Sequence, residues 1–106
     1  MSNILVNAPK TARRGEVVEI KALILHPMET GFRPGPNGRI IPRNIIERFV
    51  ASWNGAEIFS MAFSPAISAN PFVSFFAVAT ESGTVVLRWT GDEGFAAEER
   101  VAIAVE

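Results

Sequence analysis

Residues 44–63 read NIIERFVASWNGAEIFSMAF, and this stretch does most to determine the predicted fold class. Two runs rich in β-branched and aromatic residues flank Asn54-Gly55. An Asn-Gly pair in this setting favours a tight hairpin turn, because both central residues of such a turn need a positive φ. Side chains alternate along a strand, so Phe59 and Phe63 share one face of the second run. The stretch therefore predicts an antiparallel β-hairpin with one apolar face.

The same alternation recurs outside the hairpin. Within residues 16–25, Val18 and Ile20 fall on one face. Glu19 and Lys21 fall on the other, which is typical of a half-buried strand. Similar strand-like runs cover residues 4–7, 72–80, 84–90 and 95–105. Two prolines interrupt residues 64–71, which we interpret as a connection between sheets.

Together these runs make about seven short strands separated by turn residues, and no helical repeat of apolar residues persists. The pattern favours an all-β fold, an immunoglobulin-like β-sandwich of about seven antiparallel strands. At 106 residues, the chain is expected to form a single domain spanning residues 1–106.

Composition narrows the function classes. Hydrophobic residues make up 48% of the chain and charged residues 20%, as in an ordinary globular protein. The formal net charge is −1 and the ten Lys and Arg are scattered, which argues against nucleic-acid binding. The longest nearly apolar run, residues 72–79, is too short to cross a bilayer. The first residues show no signal peptide pattern.

The segment of residues 26–42 separates the early strands from the hairpin. It contains four prolines and three glycines, which favours a long, shaped loop. Loops of this length are usually functional or disordered. The apolar residues Met28, Phe32, Ile40 and Ile41 within it favour an ordered loop.

His26, the only histidine, begins this loop. As a metal ligand it would need partners, and the chain has no second histidine and no cysteine; a site completed by Glu29 is a weak alternative. As a general base it would need a nucleophile within reach. The favoured interpretation is a loop histidine at the end of a strand, hydrogen-bonded to the backbone.

Other candidates for chemistry are also weak. The pair Glu98–Glu99 cannot converge, because adjacent strand residues point to opposite faces. Asp92 and Glu93 lie in a predicted turn, where turn chemistry alone accounts for an aspartate. Residues 35–38 lack the lysine of a phosphate-binding loop. We find no catalytic, cofactor-binding or metal-binding set, so the sequence indicates a protein that is not an enzyme.

Three phenylalanines in residues 72–80 point to a partner surface. If this strand alternates, at least one of Phe72, Phe75 and Phe76 must face away from the core. An outward phenylalanine on a sheet face is typical of a surface that another protein covers.

Three further segments, in their order along the chain, carry a family resemblance. They are residues 26–31 with Arg33 and Ile41-Pro42, residues 67–71 with Phe72, and residues 87–89 with the acidic glycine turn after them. With the Asn-Gly hairpin between the first two, this arrangement resembles the SoxZ family, a subunit of the SoxYZ sulfur-carrier complex of bacterial thiosulfate oxidation. Residues 34–38 carry less charge than in relatives, and the acid after Trp89 comes one residue later.

The resemblance implies an immunoglobulin-type sandwich that forms a heterodimer with SoxY. It further implies that SoxY carries the sulfur intermediate on a cysteine of a flexible C-terminal arm, and that SoxZ helps to present it to visiting Sox enzymes. This chain has no cysteine, which agrees with that division of roles. The implied compartment is the periplasm, reached by export together with SoxY. No cofactor is implied.

We therefore interpret the loop after His26 as a recognition loop. The predicted partner-recognition residues are His26, Met28, Glu29, Arg33, Asn70, Phe72 and Phe75. Isolated from SoxY, the chain could associate with itself. The alternative functions are a stand-alone immunoglobulin-like binding module and an iron enzyme similar to superoxide reductase, which one histidine and no cysteine disfavour.

Overall fold

The computed structural model describes residues 3–106. It contains eight strands: β1 (Ile4–Asn7), β2 (Thr11–Ala12), β3 (Val17–Ile24), β4 (Ile46–Trp53), β5 (Ala56–Ala62), β6 (Phe72–Val78), β7 (Gly83–Gly91) and β8 (Ala96–Val105). A single 3-10 turn, Asp92–Gly94, is the only helical element of the described residues. The prediction of an all-β fold is confirmed.

The strands form two sheets that pack face to face. The smaller sheet has the order β1-β3-β6 and the larger has the order β2-β8-β7-β4-β5. Neighbouring strands are antiparallel except β2 and β8, which run parallel. The seven predicted strands appear in the predicted order. The two-residue strand β2 was not predicted, because Thr11-Ala12 is too short to show alternation.

The predicted hairpin forms at the predicted turn. Asn54 and Gly55 have φ values of 50° and 87°, as a two-residue turn requires. The Asn54 side chain fixes this turn to the start of β7: its Oδ1 accepts from Thr84 N–H at 3.0 Å and its Nδ2 donates to Ser82 O at 3.2 Å. A Cβ at position 83 would overlap the Asn54 amide, so a larger residue than Gly83 would displace that side chain.

Four aromatic rings form the centre of the core between the sheets. Phe49 lies 4.9 Å from Trp89 and 5.9 Å from Phe75, measured between ring centroids. Phe59 stacks on Phe75 at 4.8 Å with the planes 6° apart. Phe75 is 3% exposed. The expectation that Phe75 lies on a partner surface therefore has to be corrected, because its position in β6 points it into the core.

The outer faces of the two sheets differ in chemistry. The smaller sheet exposes large apolar side chains: Leu5, Val17, Phe72, Phe76 and Val78. Polar residues occupy the middle of that face, where Ser74 Oγ donates to Glu19 Oε2. The larger sheet instead exposes charged side chains on its outer face: Arg48, Arg88, Glu98 and Arg100. Within residues 3–106, no helix has the length and apolar character needed to cross a bilayer.

Candidate protein-recognition surfaces

The loop after β3 is ordered and contains a small hairpin. Ile41 N–H donates to Arg33 O at 2.9 Å, and Gly35 N–H donates to Arg39 O at 2.6 Å. Gly38, with φ of 78°, completes the turn, as in three-residue hairpin loops that end in a left-handed residue. We call residues 33–41 the tip hairpin. It leaves the neighbouring Phe32 81% exposed.

His26 is buried at the start of this loop. Its Nδ1 accepts a hydrogen bond from Met28 N–H at 3.0 Å. Its ring meets Phe95 edge-on, with centroids 4.8 Å apart. Burial lowers the pKa of His26, and the charge of Asp92 partly opposes that shift. The predicted backbone-bonded histidine is thus what the structure shows, although its side chain is not exposed as a recognition residue would be.

Asn70 joins the second sequence segment to the first. His26 N–H donates to Asn70 Oδ1 at 2.9 Å, and Asn70 N–H donates to His26 O at 2.8 Å. Asn70 adopts a φ of 53°, a conformation that asparagine tolerates better than most residues. These reciprocal bonds hold the loop after β3 against the connection before β6. They give Asn70 a structural role, and its predicted recognition role stays a prediction.

Met28 anchors the loop in the core. Its side chain is 4% exposed, and its Sδ accepts from Ile46 N–H at 3.3 Å. We expected Met28 to offer an adaptable contact to a partner. The structure corrects that expectation, because the thioether is buried in the core and is not accessible to a partner.

Glu29 and Arg33 form the exposed ion pair of the loop. Arg33 Nε donates to Glu29 Oε1 at 3.1 Å, and Arg33 Nη2 donates to Glu29 Oε2. Hydrogen bonding to the guanidinium lowers the pKa of Glu29 and raises that of Arg33. The Arg33 side chain is 61% exposed and that of Glu29 19%. Arg33 therefore presents most of its charge to solvent beside the tip hairpin.

Arg43 and Asp92 join the third segment to the same site. Arg43 Nε donates to Asp92 Oδ2 at 2.8 Å and Arg43 Nη2 donates to Oδ1 at 2.9 Å. Asp92 Oδ2 also accepts from Ile45 N–H at 3.2 Å. Hydrogen bonding from Arg43 lowers the pKa of Asp92. Sequence reasoning missed Arg43, because no local spacing links residues 43 and 92. All three segments thus meet at one end of the sandwich.

At this loop end, the side chains that can ionise already have partners. Its histidine contacts an aromatic ring and a backbone amide, and its carboxylates are engaged by arginines. Across residues 3–106, no cluster of three or more His, Cys, Asp and Glu side chains is placed to hold a metal ion. What the arrangement can do is present arginines and the apolar Phe32 and Ile40 to another protein.

A second surface lies on the smaller sheet. Phe72 and Phe76 point outward and are 60% and 65% exposed, so two of the three phenylalanines face away from the core. An apolar groove of about 440 Å³ runs beside Phe76 between the two sheets, with Trp53 and Ile58 on its other side.

The edge of β6 is also open in the described chain. Ile24 N–H donates to Pro71 O, and Ala79 N–H donates to Glu16 O. Antiparallel pairing alternates, so the odd-numbered β6 residues face β3 and the backbone groups of Phe72, Ser74, Phe76 and Val78 face outward. Charged residues and proline usually protect an edge strand from pairing with another chain. The strand β6, FVSFFAV, contains neither.

The model of the family described as "Sulphur oxidation protein SoxZ" matches residues 6–102. No curated protein matches the sequence closely enough to add to that assignment.

Solved structures share the fold at low identity. A superoxide reductase (neelaredoxin) from Ignicoccus hospitalis is 19% identical with a TM-score of 0.73, over 98% of this chain and 80% of that one. The sulfur carrier protein SoxY from Chlorobium limicola f thiosulfatophilum is 15% identical with a TM-score of 0.69, over 100% and 81%. A putative superoxide reductase from Thermotoga maritima is 18% identical with a TM-score of 0.74, over 97% and 85%.

At these identities the structures establish the sandwich fold and no activity. The match to the family model, unlike these structural similarities, rests on the sequence itself. It extends from within β1 to within β8. The three segments quoted from the sequence all lie inside the match, and the structure brings them together at the loop end. The chain belongs to the SoxZ family of sulphur oxidation proteins.

Proposed function

We propose that this chain is a non-catalytic subunit of a SoxYZ-type sulfur carrier, acting in periplasmic thiosulfate oxidation as a heterodimer with SoxY. Family membership places it in sulphur oxidation. In this proposal the sulfur intermediate is carried by a cysteine of SoxY, since this chain has none. The chain supplies a rigid scaffold, and it reaches the periplasm by export with SoxY.

The observation that carries the proposal is the apolar outer face of the smaller sheet, together with the open edge of β6. Exposed phenylalanines on a strand without charge or proline are costly to leave in water. A permanent partner interface usually buries more than about 2,000 Å² and is apolar at its centre. We assign SoxY to this face. The loop end, with its arginines, is then free for transient contact with Sox enzymes.

Phe76→Lys tests the assignment of the face. The register places Phe76 opposite Glu19, so the new lysine has a local partner and the fold is expected to persist. Arg88→Ala on the outer face of the larger sheet is the matched control. We expect Phe76→Lys to abolish co-purification with SoxY and the control to retain it. Retained pairing in both variants would refute the assigned face; failure of the unaltered chain to pair would favour a stand-alone binding module.

A further inference from the structure

The chain contains the dipeptide Asn-Gly twice, at residues 37–38 and 54–55. In such a pair the backbone nitrogen of glycine can attack Cγ of the asparagine, because no side chain obstructs it. The glycine nitrogen loses its proton to solvent and forms a bond to Cγ. The Cγ–Nδ2 bond then breaks, Nδ2 takes a proton from solvent, and ammonia leaves. Water then opens the cyclic imide at either carbonyl, which yields aspartate or isoaspartate. No oxidant, reductant or enzyme is needed.

The two asparagine side chains differ in their hydrogen bonds. The Asn54 amide is held by two hydrogen bonds, to Thr84 N–H and Ser82 O. It occupies the space that a side chain at Gly83 would fill. To react, the amide has to leave both partners.

The Asn37 side chain is less restrained, and the attacking Gly38 N–H donates to Gly35 O at 3.1 Å. Asn37 is exposed at the turn of the tip hairpin, and its Oδ1 accepts only from Arg39 N–H, at 3.3 Å. A bond from Oδ1 to the amide two residues on folds the side chain over the intervening Gly38 peptide. The same donor can stabilise negative charge that develops on Oδ1 during attack.

We propose that Asn37 is a site of spontaneous deamidation, and that the hydrogen bonds of Asn54 protect it from the same reaction. The product changes the tip hairpin in two ways. A carboxylate appears between Arg33 and Arg39 in sequence, and the formal net charge of the chain falls from −1 to −2. The isoaspartate product also adds an atom to the backbone of the turn. The proposal does not depend on the identity of any partner.

The test is incubation of the purified chain at neutral and mildly alkaline pH, followed by peptide mapping with mass spectrometry. Replacement of NH₂ by OH raises the mass of a peptide, and isoaspartate is identified by enzymatic methylation. We expect Asn37 to react at least about tenfold faster than Asn54, the ratio that one or two broken hydrogen bonds imply. The rate at Asn37 should rise with pH. Equal rates, or a faster Asn54, would overturn the proposal.

Two further measurements decide whether the folded structure or the local sequence sets the difference between the two deamidation rates. In urea that unfolds the chain, the two rates should converge; a persistent preference for Asn37 would mean that local sequence sets it. Gly83→Ala displaces the Asn54 amide while leaving the Asn54-Gly55 sequence unchanged. We expect it to accelerate reaction at Asn54 in a chain that circular dichroism shows to be folded. An unchanged Asn54 rate in that folded variant would count against protection by the hydrogen bonds.

Discussion

At the scale of single residues, the chemistry of the loop end is decided by what each side chain already contacts. His26 has its Nδ1 engaged by Met28 N–H and its ring against Phe95. Asp92 is held by Arg43 and Ile45 N–H. Groups with these partners support loop geometry. Arg33 also has a partner, Glu29, but its side chain is 61% exposed and is accessible to another protein.

His26 should make folding stability depend on pH. Burial lowers its pKa in the folded state below the ordinary value of 6.5. The unfolded chain therefore binds the proton first, and the contribution is complete above pH 6.5 and lost as pH falls toward the folded pKa. Protonation also removes the acceptor for Met28 N–H. We expect the free energy of unfolding, measured with urea, to fall between pH 7 and about pH 5.

His26→Asn is the matched variant for that measurement. Asparagine can accept from the amide two residues on and does not titrate, so the pH dependence in this range should flatten. Glu29 and Asp92 do not confuse the comparison, since arginines lower their pKa values. An unchanged pH profile in His26→Asn would show that another group is responsible.

Arg33 is expected to act through its charge at the loop end. Arg33→Glu should slow association with a Sox partner by about tenfold at low salt, because charge at an interface rim governs the rate of encounter. The double variant Glu29→Arg with Arg33→Glu keeps an ion pair within the loop. If both variants bind slowly in stopped-flow or surface measurements, the partner reads Arg33. Restored binding in the double variant would mean that the internal pair alone matters.

At the scale of elements, the loop after β3 is divided into an anchored root and an exposed tip. Met28 is buried at the root, and the tip hairpin of residues 33–41 is held by backbone bonds. The neighbouring Phe32 is apolar and solvent-exposed. We therefore expect the root of the loop to contribute to stability and its tip to contribute to partner recognition.

Met28→Ala and Phe32→Ala test this division. Removing the buried Met28 side chain should cost about 2–5 kcal/mol of unfolding free energy, because a cavity remains in the core. Removing Phe32 should change stability by less than about 0.5 kcal/mol while weakening any contact made by the tip. Thermal or urea unfolding of the pair decides it; a large stability loss for Phe32→Ala would show that the tip packs on the core in solution.

The strands and the hairpin could be predicted from the sequence because their signals are local. Alternation marks β3, an apolar run rich in phenylalanine and valine marks β6, and Asn54-Gly55 marks the turn. The inward or outward direction of Phe75 could not be predicted, since the run FVSFFAV is apolar on both faces. The ion pair Arg43–Asp92 could not be predicted either, because the two residues are far apart in sequence and meet only in the folded chain. The burial of Met28 was missed for the same reason.

At the scale of the whole molecule, the smaller of the two sheets has an apolar outer face that is exposed to solvent. The outer face of the smaller sheet exposes Phe72 and Phe76 next to an open strand edge. The larger sheet exposes charged residues instead. The two outer faces therefore differ: the apolar face of the smaller sheet is suited to a stable protein interface, and the charged face of the larger sheet is suited to solvent.

This difference between the two faces predicts self-association of the isolated chain. Strand β6 carries no charge that would repel a second copy, so two chains can pair through this edge when SoxY is absent. Sedimentation velocity at micromolar concentration should show dimers or larger species, and Phe76→Lys should shift them to monomer. A monomeric unaltered chain whose unfolding free energy does not rise when SoxY is added would place the partner surface elsewhere.

The short parallel contact between β2 and β8 has a consequence for the order of folding. Ala104 N–H donates to Lys10 O, Arg14 N–H donates to Glu106 O, and Glu106 N–H donates to Ala12 O, so this contact closes a loop containing most of the chain. Contacts of such high sequence separation are made late, after local hairpins have shortened the effective loop. The pairing of β4, β5 and β7 should come first. Even-numbered β7 residues hydrogen-bond to β4, as Asn54 N–H does to Thr84 O. Pulsed hydrogen exchange during refolding should therefore protect the Arg88 amide early and the Ala104 amide last.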